Sequence, residues 1–344
     1  MSKKNQSTII TILCFLFCAA SINQATAQKN KQAVIITKPI YVDPVYDGAA
    51  DPVVIWNRTE KKWFMFYTNR RAKTDDSLGV RWVHGTRIGI AESSDGGATW
   101  KYRDTANINY RPVAEYTHWA PEIVEQNGLY HMYLTYVPGI FNDWNHPRNI
   151  IHLTSTNLLN WKYESTLPLA TDKVIDPCVL QLPNGDWRMW YNNERAGKSI
   201  FYADSKDLYN WIDKGKAVQA RGEGPKVFQW KGLYWMIIDV WKGLEMYSST
   251  DLLIWKKQEP RILEQPGKDL DDRAIGGHCD VVVNDGHAYI FYFTHPGRNK
   301  ENPAPASSYL SRRSYIKFAE LEYSNGTITC DRDKAVSMQL HAVK

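Results

Sequence analysis

The chain has 344 residues and a formal net charge of +5, with 42 Lys and Arg against 37 Asp and Glu. This charge excess is small and no basic run is clustered, which argues against nucleic acid as a partner. Aromatic residues make up 13% of the chain, a content typical of a large β core and of sites that stack on sugar rings.

The first predicted element is a secretory signal over residues 1–27. Lys3 and Lys4 precede an apolar stretch, and Ala-Thr-Ala at 25–27 offers a cleavage site between small residues. The apolar stretch is too short for a membrane span. Cys18 lacks the small neighbours that a lipoprotein signal places there. The pattern therefore predicts a bacterial protein that is cleaved and released, in the periplasm or outside the cell, without a lipid anchor.

Removal of residues 1–27 leaves a charge of +3 and three cysteines, Cys178, Cys279 and Cys330. An odd number without metal-site or disulfide spacing predicts no disulfide framework. Cys178 and Cys279 lie inside apolar runs, where a cysteine is typically a small buried core residue.

One phrase recurs five times along the rest of the chain. Each copy opens with an acidic residue beside Pro or Gly, continues as an apolar strand, turns, and returns as an aromatic strand. The openings are Asp51-Pro52, Pro121-Glu122, Asp176-Pro177, Glu223-Gly224-Pro225 and Cys279-Asp280. Short strands that repeatedly begin with a carboxylate indicate radial symmetry with acids gathered at the centre.

A second phrase ends the return strands and closes on a tryptophan. Trp100, Trp161, Trp211 and Trp255 follow one another at intervals of 61, 50 and 44 residues, a spacing typical of propeller blades. The Asp, Asn, Ser and Gly residues before them favour turns. We therefore expect these tryptophans to anchor outer strands and to have no catalytic role.

The repeats predict an all-β fold, a single five-bladed β-propeller domain over residues 28–344. The blades are expected at about 45–105, 118–168, 174–216, 221–260 and 276–333. A hairpin around Asn325-Gly326 belongs to C-terminal strands that would close the ring and remove exposed edges.

The innermost strand of each blade lines the central channel of a propeller, so the five opening acids are expected to converge there. Crowded carboxylates repel one another, and at least one pKa should be raised. Glycoside hydrolysis needs such a division between an acid and a base. Asp-Pro and Glu-Gly-Pro are also ordinary turn sequences. Three acids in one register favour function for Asp51, Asp176 and Glu223, whereas both explanations stay open for Glu122 and Asp280.

The ordered phrases resemble those of glycoside hydrolase family 43 and its relatives in the same clan. They are Ala50-Asp51-Pro52, His118-Trp119-Ala120-Pro121-Glu122, Ile175-Asp176-Pro177, Glu223-Gly224-Pro225 and Gly277-His278. The resemblance spans about residues 40–330 and implies an inverting mechanism in a five-bladed propeller. By motif, Asp51 resembles the general base, Glu223 the general acid, and Asp176 the residue that tunes and orients the acid.

The resemblance also implies an axial site. His278 is similar to the histidine that in many family members holds a central water or calcium. The chain departs from the pattern at Asp280, where small residues usually follow, so Asp280 would alter the axial site or bind a cation directly. The expectation is an enzyme that requires no cofactor for its reaction, with a structural calcium at the propeller axis.

The residues expected to contact a carbohydrate substrate are Trp82, Trp119, Trp241, Glu122 and Arg273. Each tryptophan could equally pack within its loop, and Arg273 could form a surface ion pair with its acidic neighbours. Insertions at 70–87 and 141–148 are candidate walls of the site.

The predicted activity is that of an exo-acting O-glycosidase of the arabinofuranosidase, xylosidase or galactosidase type, which releases a terminal sugar from plant or algal material. An inverting glycoside phosphorylase and a carbohydrate-binding propeller without activity are the alternatives from other classes. Families 117 and 32 of the same fold also stay open. Nothing in the pattern predicts an oligomeric state.

Overall fold

The computed structural model describes residues 34–35, 40–74 and 78–343. Among these residues, four antiparallel sheets of four strands and one sheet of five strands form the blades, and a short two-stranded sheet is also present. The predicted five-bladed, all-β propeller is confirmed. The predicted signal segment 1–27 lies outside the described residues.

The strands follow one another blade by blade along the chain. The short strand β1 spans Val34–Ile35. Blade 1 contains β2 (Ala49–Asn57), β3 (Lys62–Asn69), β4 (Arg87–Ser93) and β5 (Lys101–Thr105). Blade 2 contains β6 (Asn107–Asn109), β7 (Thr117–Gln126), β8 (Leu129–Val137), β9 (Asn149–Ser155) and β10 (Asn160–Thr166). In blade 2, β6 runs parallel to β10 and extends the sheet at its outer edge.

The remaining blades have the same four-stranded plan. Blade 3 contains β11 (Val174–Gln181), β12 (Trp187–Asn193), β13 (Ser199–Ser205) and β14 (Trp211–Arg221). Blade 4 contains β15 (Glu223–Trp230), β16 (Leu233–Asp239), β17 (Leu244–Ser249) and β18 (Lys256–Ile262). Blade 5 contains β19 (Cys279–Asn284), β20 (His287–Thr294), β21 (Tyr315–Ser324) and β22 (Thr327–Cys330), and β23 (Ser337–Met338) pairs with β1.

Helical segments are short and lie in the connections. They are the 3₁₀ turns Arg81–Val83, Glu194–Ala196, Leu270–Asp272 and Pro296–Arg298 and the single-turn helix α1 (Tyr309–Arg312). In the part of the chain that the structure describes, none has the length and apolar character to cross a membrane.

The ring closes between the first and last blades. Each inner strand contacts the next, and β19 contacts β2. Tyr41, ahead of blade 1, pairs with Ile316 on β21. One apolar cluster spans both blades and includes Trp63 and Phe291. Closure through the C-terminal strands removes the exposed edges that an open sheet would leave.

Four inner strands carry a bulge at a residue that precedes proline. The pairing between first and second strands is interrupted at Asp51-Pro52, Ala120-Pro121, Asp176-Pro177 and Gly224-Pro225. The residue before each proline has a positive φ, between 43° and 58°. Proline cannot donate to the ladder, so an interruption there costs little and redirects the neighbouring side chain.

The bulges correct the predicted register of the acids. Asp51 and Asp176 occupy the bulge position itself, whereas Glu223 precedes it by one residue and Glu122 follows it by two. Blade 5 pairs without interruption from Cys279 onwards. The acids thus enter the centre at different heights, although the sequence suggested a common register.

The repeated turns act as predicted. Asp207 accepts hydrogen bonds from the backbone N–H groups of Tyr209 and Asn210, at 2.9 and 2.8 Å. Trp211 then packs in the blade core with its Nε1 donating to the Leu208 carbonyl at 3.1 Å. Such side-chain caps hold the outer strand in register.

Candidate active site

A cavity of about 700 Å³ lies at the end of the propeller where the inner strands begin. Its wall includes the three acids predicted to be catalytic, Asp51, Asp176 and Glu223. They come from blades 1, 3 and 4. The fold therefore brings together residues that are between 47 and 172 positions apart in the chain.

Asp51 is held by a guanidinium group. Arg70, just after β3, donates through Nη2 to both carboxylate oxygens of Asp51, at 2.9 and 3.2 Å. His278 Nδ1 lies 3.6 Å from Asp51 Oδ1. Charge-assisted bonds of this kind stabilise the negative charge and fix the carboxylate orientation. Sequence analysis named 70–87 as a candidate wall but did not identify Arg70 as a partner of Asp51.

Asp176 is buried between two neighbouring blades. Its Oδ2 accepts a hydrogen bond of 3.0 Å from the backbone N–H of Gly224, and its own N–H donates to Thr135 Oγ1 at 3.1 Å. Burial raises the pKa of Asp176 well above the ordinary value, and the charges of Glu223 and Asp51 add to this effect. The raised pKa favours the protonated form of Asp176, which lies beside the peptide that follows Glu223.

Glu223 is the first residue of β15, and its side chain is 27% exposed. Trp241 Nε1 donates to Glu223 Oε1 at 2.9 Å, and Lys198 Nζ lies 3.6 Å from Oε2. Desolvation raises the pKa of Glu223 and Asp51 raises it further, although Lys198 and Trp241 oppose the shift. A carboxyl that holds its proton and still reaches the cavity can act as a general acid.

Asp239 is a member of this cluster that sequence analysis missed. It ends β16 directly opposite Glu223 and accepts 2.8 Å hydrogen bonds from the backbone N–H groups of Trp241 and His278. Burial and the charge of Glu223 raise the pKa of Asp239 to about 7. The available signal was an acid that ends an apolar strand run, Met236 to Asp239. We call Asp51, Asp176, Glu223 and Asp239 the acid cluster.

Basic side chains form much of the remaining wall. They are Arg70, Arg148, Lys173, Lys198, Arg221 and Arg298. Glu194 pairs with two of them, Arg148 and Lys198. These residues come from separate loops and strands, so the sequence contains no basic run that would reveal them.

Tryptophans supply the aromatic part of the wall, and the three predicted for sugar contact all line the cavity. Trp119 is buried, and its Nε1 donates to the Val83 carbonyl at 2.6 Å. Trp241 is 36% exposed, and Trp82 contacts His295 edge to face. Trp144 also lines the cavity and is 49% exposed. The described part of the 70–87 insertion and the 141–148 insertion thus both contribute to the wall.

Glu122 and Asp280 lie at another level, around Lys226. Lys226 Nζ is 3.0 Å from Glu122 Oε2 and 2.7 Å from Asp280 Oδ1. Glu122 also accepts from the backbone N–H of Val179, and Asp280 from that of Val54. We call Glu122, Lys226 and Asp280 the axial triad. Glu122, predicted to contact substrate, is not part of the cavity wall.

The residues present do not fit the calcium expected at Asp280. The ammonium group of Lys226 already lies between the two carboxylates, and it would repel a second cation. Burial disfavours this ammonium charge, but Asp280 and Glu122 outweigh it and raise the pKa of Lys226 well above its usual range. Among the described residues no three His, Cys, Asp or Glu side chains are grouped as metal ligands. His278 lies instead beside Asp51 and Asp176.

Arg273 lies outside the cavity wall. Its guanidinium is exposed and pairs with Glu301 at 3.2 Å. This geometry matches the surface ion pair that was the alternative to a sugar contact.

Comparison with solved structures identifies the same fold in several proteins. A thermostable family-43 glycoside hydrolase matches with a TM-score of 0.63 and 17% identity, over 90% of this chain and 99% of its own. A family-43 β-xylosidase/α-arabinofuranosidase from a compost microbial metagenome, in complex with xylotriose and calcium-free, has a TM-score of 0.61 and 15% identity, over 86% and 97%. A family-43 β-1,3-galactosidase with galactodeoxynojirimycin has a TM-score of 0.60 and 12% identity, over 86% and 98%. The sequence matches no protein-family model and no curated protein. Identities this low show a shared fold.

Proposed function

We propose that this protein is a glycoside hydrolase that releases a terminal sugar with inversion, with Asp51 as general base and Glu223 as general acid. Asp176 tunes and orients Glu223. The sugars of the proposed class are those of plant or algal oligosaccharides. The pattern of residues 1–27 supports a site of action outside the cytoplasm, as periplasmic or secreted proteins have.

One observation carries the proposal: carboxyl groups from three blades meet in one cavity in opposite environments. Asp51 faces the Arg70 guanidinium, which stabilises its charge. Desolvation raises the pKa of Glu223, which favours its protonated form. Glycoside hydrolysis requires one carboxyl group that donates a proton and one carboxylate that accepts a proton, and different surroundings favour these two forms.

The reaction then follows from these two environments. Glu223 donates its proton to the glycosidic oxygen while the bond to the anomeric carbon breaks. The Asp51 carboxylate takes a proton from a water molecule, and that water attacks the anomeric carbon from the opposite face. In an inverting enzyme the two carboxyl groups lie roughly 6.5–9.5 Å apart, with the water between them.

Asp176 acts on Glu223 through the backbone. It accepts the N–H of Gly224, the residue that follows Glu223, and thereby holds the start of β15. Burial raises the pKa of Asp176, which favours the form that places no negative charge near Glu223. Its proposed role is therefore positioning and tuning, without direct contact to the reacting bond.

The solved structures of the same fold agree with this class of activity. Those compared above are described as glycoside hydrolases, and an exo-1,5-α-L-arabinanase from a ruminal metagenome also matches, with a TM-score of 0.57 and 16% identity. The four tryptophans of the wall offer apolar faces for sugar rings. A cavity bounded by loops on several sides favours a chain end over the middle of a polysaccharide.

A second candidate is an inverting phosphorylase, in which phosphate replaces the activated water. Lys198 lies close to Glu223, and Arg221 stands over the ring of Trp241, 5.4 Å from its centroid. These cations favour an anion in the cavity, but the attacking phosphate has to lie on the Asp51 side, opposite the acid. The hydrolase is preferred because Asp51 supplies a base for water, which a phosphorylase does not need.

The test uses Glu223→Gln and Asp51→Asn on a panel of aryl glycosides and oligosaccharides, with proton NMR of the first anomer released. Loss of general acid catalysis should slow poor leaving groups by roughly 10²- to 10⁴-fold and activated aryl leaving groups much less. Asp51→Asn should slow all substrates by several orders of magnitude. The control Glu301→Gln neutralises an exposed acid outside the cavity.

Three results would each contradict one part of the proposal. Full activity of Glu223→Gln on poor leaving groups would remove it as the acid. Retention of the anomeric configuration would contradict the inverting mechanism. Sugar phosphate formed by the wild type when inorganic phosphate is added, with little hydrolysis in its absence, would establish the phosphorylase instead.

A further inference from the structure

Positive charge exceeds negative charge in the cavity wall. Six basic and five acidic residues line it. Three of the acids, Asp176, Glu223 and Asp239, have a pKa that burial raises, which favours their neutral form. A neutral sugar would leave this excess uncompensated.

The excess positive charge lies on side chains of the wall without an acidic partner. Arg70 pairs with Asp51, while Arg148 and Lys198 pair with Glu194. In the described parts of the chain, Lys173, Arg221 and Arg298 form no ion pair. These three are therefore the candidates for binding an anionic group on a ligand.

Arg298 is the most firmly positioned of the three. Its Nε donates to the Ser311 carbonyl at 2.8 Å, and its guanidinium lies over the Trp82 ring, 5.7 Å from the centroid. Gly297 packs against the Leu310 carbonyl, where a Cβ atom would approach to 2.2 Å. The loop is thus held close to α1, which fixes the arginine in the wall of the cavity.

The surroundings of Arg298 contain cations and aromatic rings. Desolvation and the charge of Arg70 lower its pKa to about 10, so it is still charged at neutral pH. His295 between these arginines has a lowered pKa, first through burial and then through both arginine charges, so it adds no counter-charge. A planar guanidinium binds a carboxylate or sulfate through two parallel hydrogen bonds.

The position of Arg298 indicates which part of the substrate it would contact. Its neighbour Arg70 holds Asp51, whereas Lys198 and Arg221 lie near Glu223 and Trp241. In the proposed reaction the base faces the sugar that is released, and the acid faces the leaving group. Arg298 is therefore on the side of the released sugar.

We propose that the sugar bound beside Asp51 carries an anionic group, a uronate carboxylate or a sulfate ester, and that Arg298 binds this group. This inference rests on the proposed function only in taking the cavity as a sugar site. A hydroxyl group at the same place would provide no charge to compensate the guanidinium. Uronates and sulfated sugars share an anionic group attached to the sugar, a planar carboxylate in the first and a tetrahedral sulfate in the second.

The test is isothermal titration calorimetry at low ionic strength with matched sugars. Galacturonate is compared with galactose, glucuronate with glucose, and galactose 6-sulfate with galactose, and inorganic sulfate is titrated alone. The wild type should bind at least one charged sugar at least tenfold more tightly than its neutral partner. Arg298→Gln should weaken binding of that sugar by roughly 10- to 100-fold and leave neutral sugars unchanged.

Two variants control this result. Arg298→Lys keeps the charge without the fork and should retain part of the affinity. Arg103→Gln removes an arginine of the outer strand β5, which pairs with Glu60 and Glu92 outside the cavity, and should change nothing. Circular dichroism and thermal unfolding confirm that each variant is folded.

The proposal fails if neutral and charged sugars bind equally, if no charged sugar of the panel binds, or if Arg298→Gln leaves the preference intact. It also fails if inorganic sulfate binds as tightly as the charged sugar, because the site would then recognise a free anion. Calorimetry reports binding without turnover. A protein that binds galacturonate through Arg298 but hydrolyses nothing would refute the proposed reaction and support this inference.

Discussion

The axial triad and three members of the acid cluster lie on the inner strands, and Asp239 ends the neighbouring strand β16, but the two groups hold their charges differently. In the axial triad, Lys226 lies within 3.0 Å of both carboxylates, and backbone N–H groups bind the remaining oxygens. In the acid cluster, Asp176 and Asp239 accept backbone hydrogen bonds but have no cationic partner among the described residues.

Burial does not explain this difference, because the two groups are buried alike. Asp176 and Asp239 are 6% and 4% exposed, and Glu122 and Asp280 are 5% and 2% exposed. The counter-charge distinguishes the two groups. Burial raises the pKa of Glu122 as well, but Lys226 opposes this rise and its charge ties neighbouring blades together. For Asp176 and Asp239 only backbone N–H groups oppose the rise, and the charge of neighbouring acids raises their pKa further.

The largest effect on stability is expected for Lys226→Met. It leaves two buried carboxylates without their cation, and loss of one partner of a buried ion pair typically costs about 3–5 kcal/mol. Urea unfolding at pH 7 measures the change. Addition of Glu122→Gln and Asp280→Asn should restore much of the lost stability, because the amide oxygens still accept the backbone N–H groups.

The matched control is Lys257→Met. Lys257 also contacts two carboxylates, Glu245 and Glu259, but its side chain is 39% exposed. Exposed pairs contribute about 0–1 kcal/mol, so its loss should be small. Equal losses for Lys226→Met and Lys257→Met would show that the axial triad does not stabilise the blades.

The acid cluster should make the free energy of unfolding depend on pH. The pKa of Asp239 is raised in the folded protein, to about 7 from an ordinary 3.8. A group of this kind adds stability below its unfolded pKa and loses it as the pH rises through the folded value. The free energy of unfolding should therefore fall, on the order of a few kcal/mol, between about pH 4 and above pH 7.

Asp239→Asn tests this pH dependence by removing the carboxyl group that titrates. The amide accepts one of the two backbone hydrogen bonds, so the variant loses some stability at every pH. Its stability should nevertheless fall less than that of the wild type between pH 5 and pH 8, as measured by urea unfolding at each pH. Asp331→Asn, at an exposed turn, is the control and should keep the wild-type slope. A wild-type slope in Asp239→Asn would exclude the raised pKa.

The smallest effect concerns the pH profile of activity. Lys198 lies 3.6 Å from Glu223 and lowers its pKa. Lys198→Met should therefore raise the pKa of Glu223, and the basic limb of kcat/KM should move to higher pH, because the acid keeps its proton longer. The exposed Lys216→Met is the control. A basic limb that stays in place or moves to lower pH would contradict Glu223 as the acid whose proton Lys198 influences.

Sequence reasoning found the elements that repeat. The strand openings at Asp51, Asp176 and Glu223 were visible because each stands beside proline or glycine before an apolar run. The cavity wall contains all three. Trp82, Trp119 and Trp241 also line it, since insertions and strand ends of a propeller face the central opening.

The sequence pattern did not reveal basic wall residues outside the repeat. Glu122 and Asp280 lie in other surroundings than the pattern predicted. Arg298 and Lys198 lie in connections whose local sequence resembles any solvated loop. Glu122 and Asp280 looked like further openings of the repeat, but Glu122 follows the bulge and is not in the cavity wall, and Lys226 compensates both charges. A one-dimensional pattern does not give the height at which a side chain meets the axis.

The sequence by itself determined the blade count, the all-β fold and the carboxylates at the strand openings, because these depend on local patterns of apolar, turn and acidic residues. The tertiary structure alone decided which acids share a cavity, which one faces an arginine and which two enclose a lysine. Charge effects depend on distances of a few ångströms between residues far apart in the chain, and only the closed ring sets those distances.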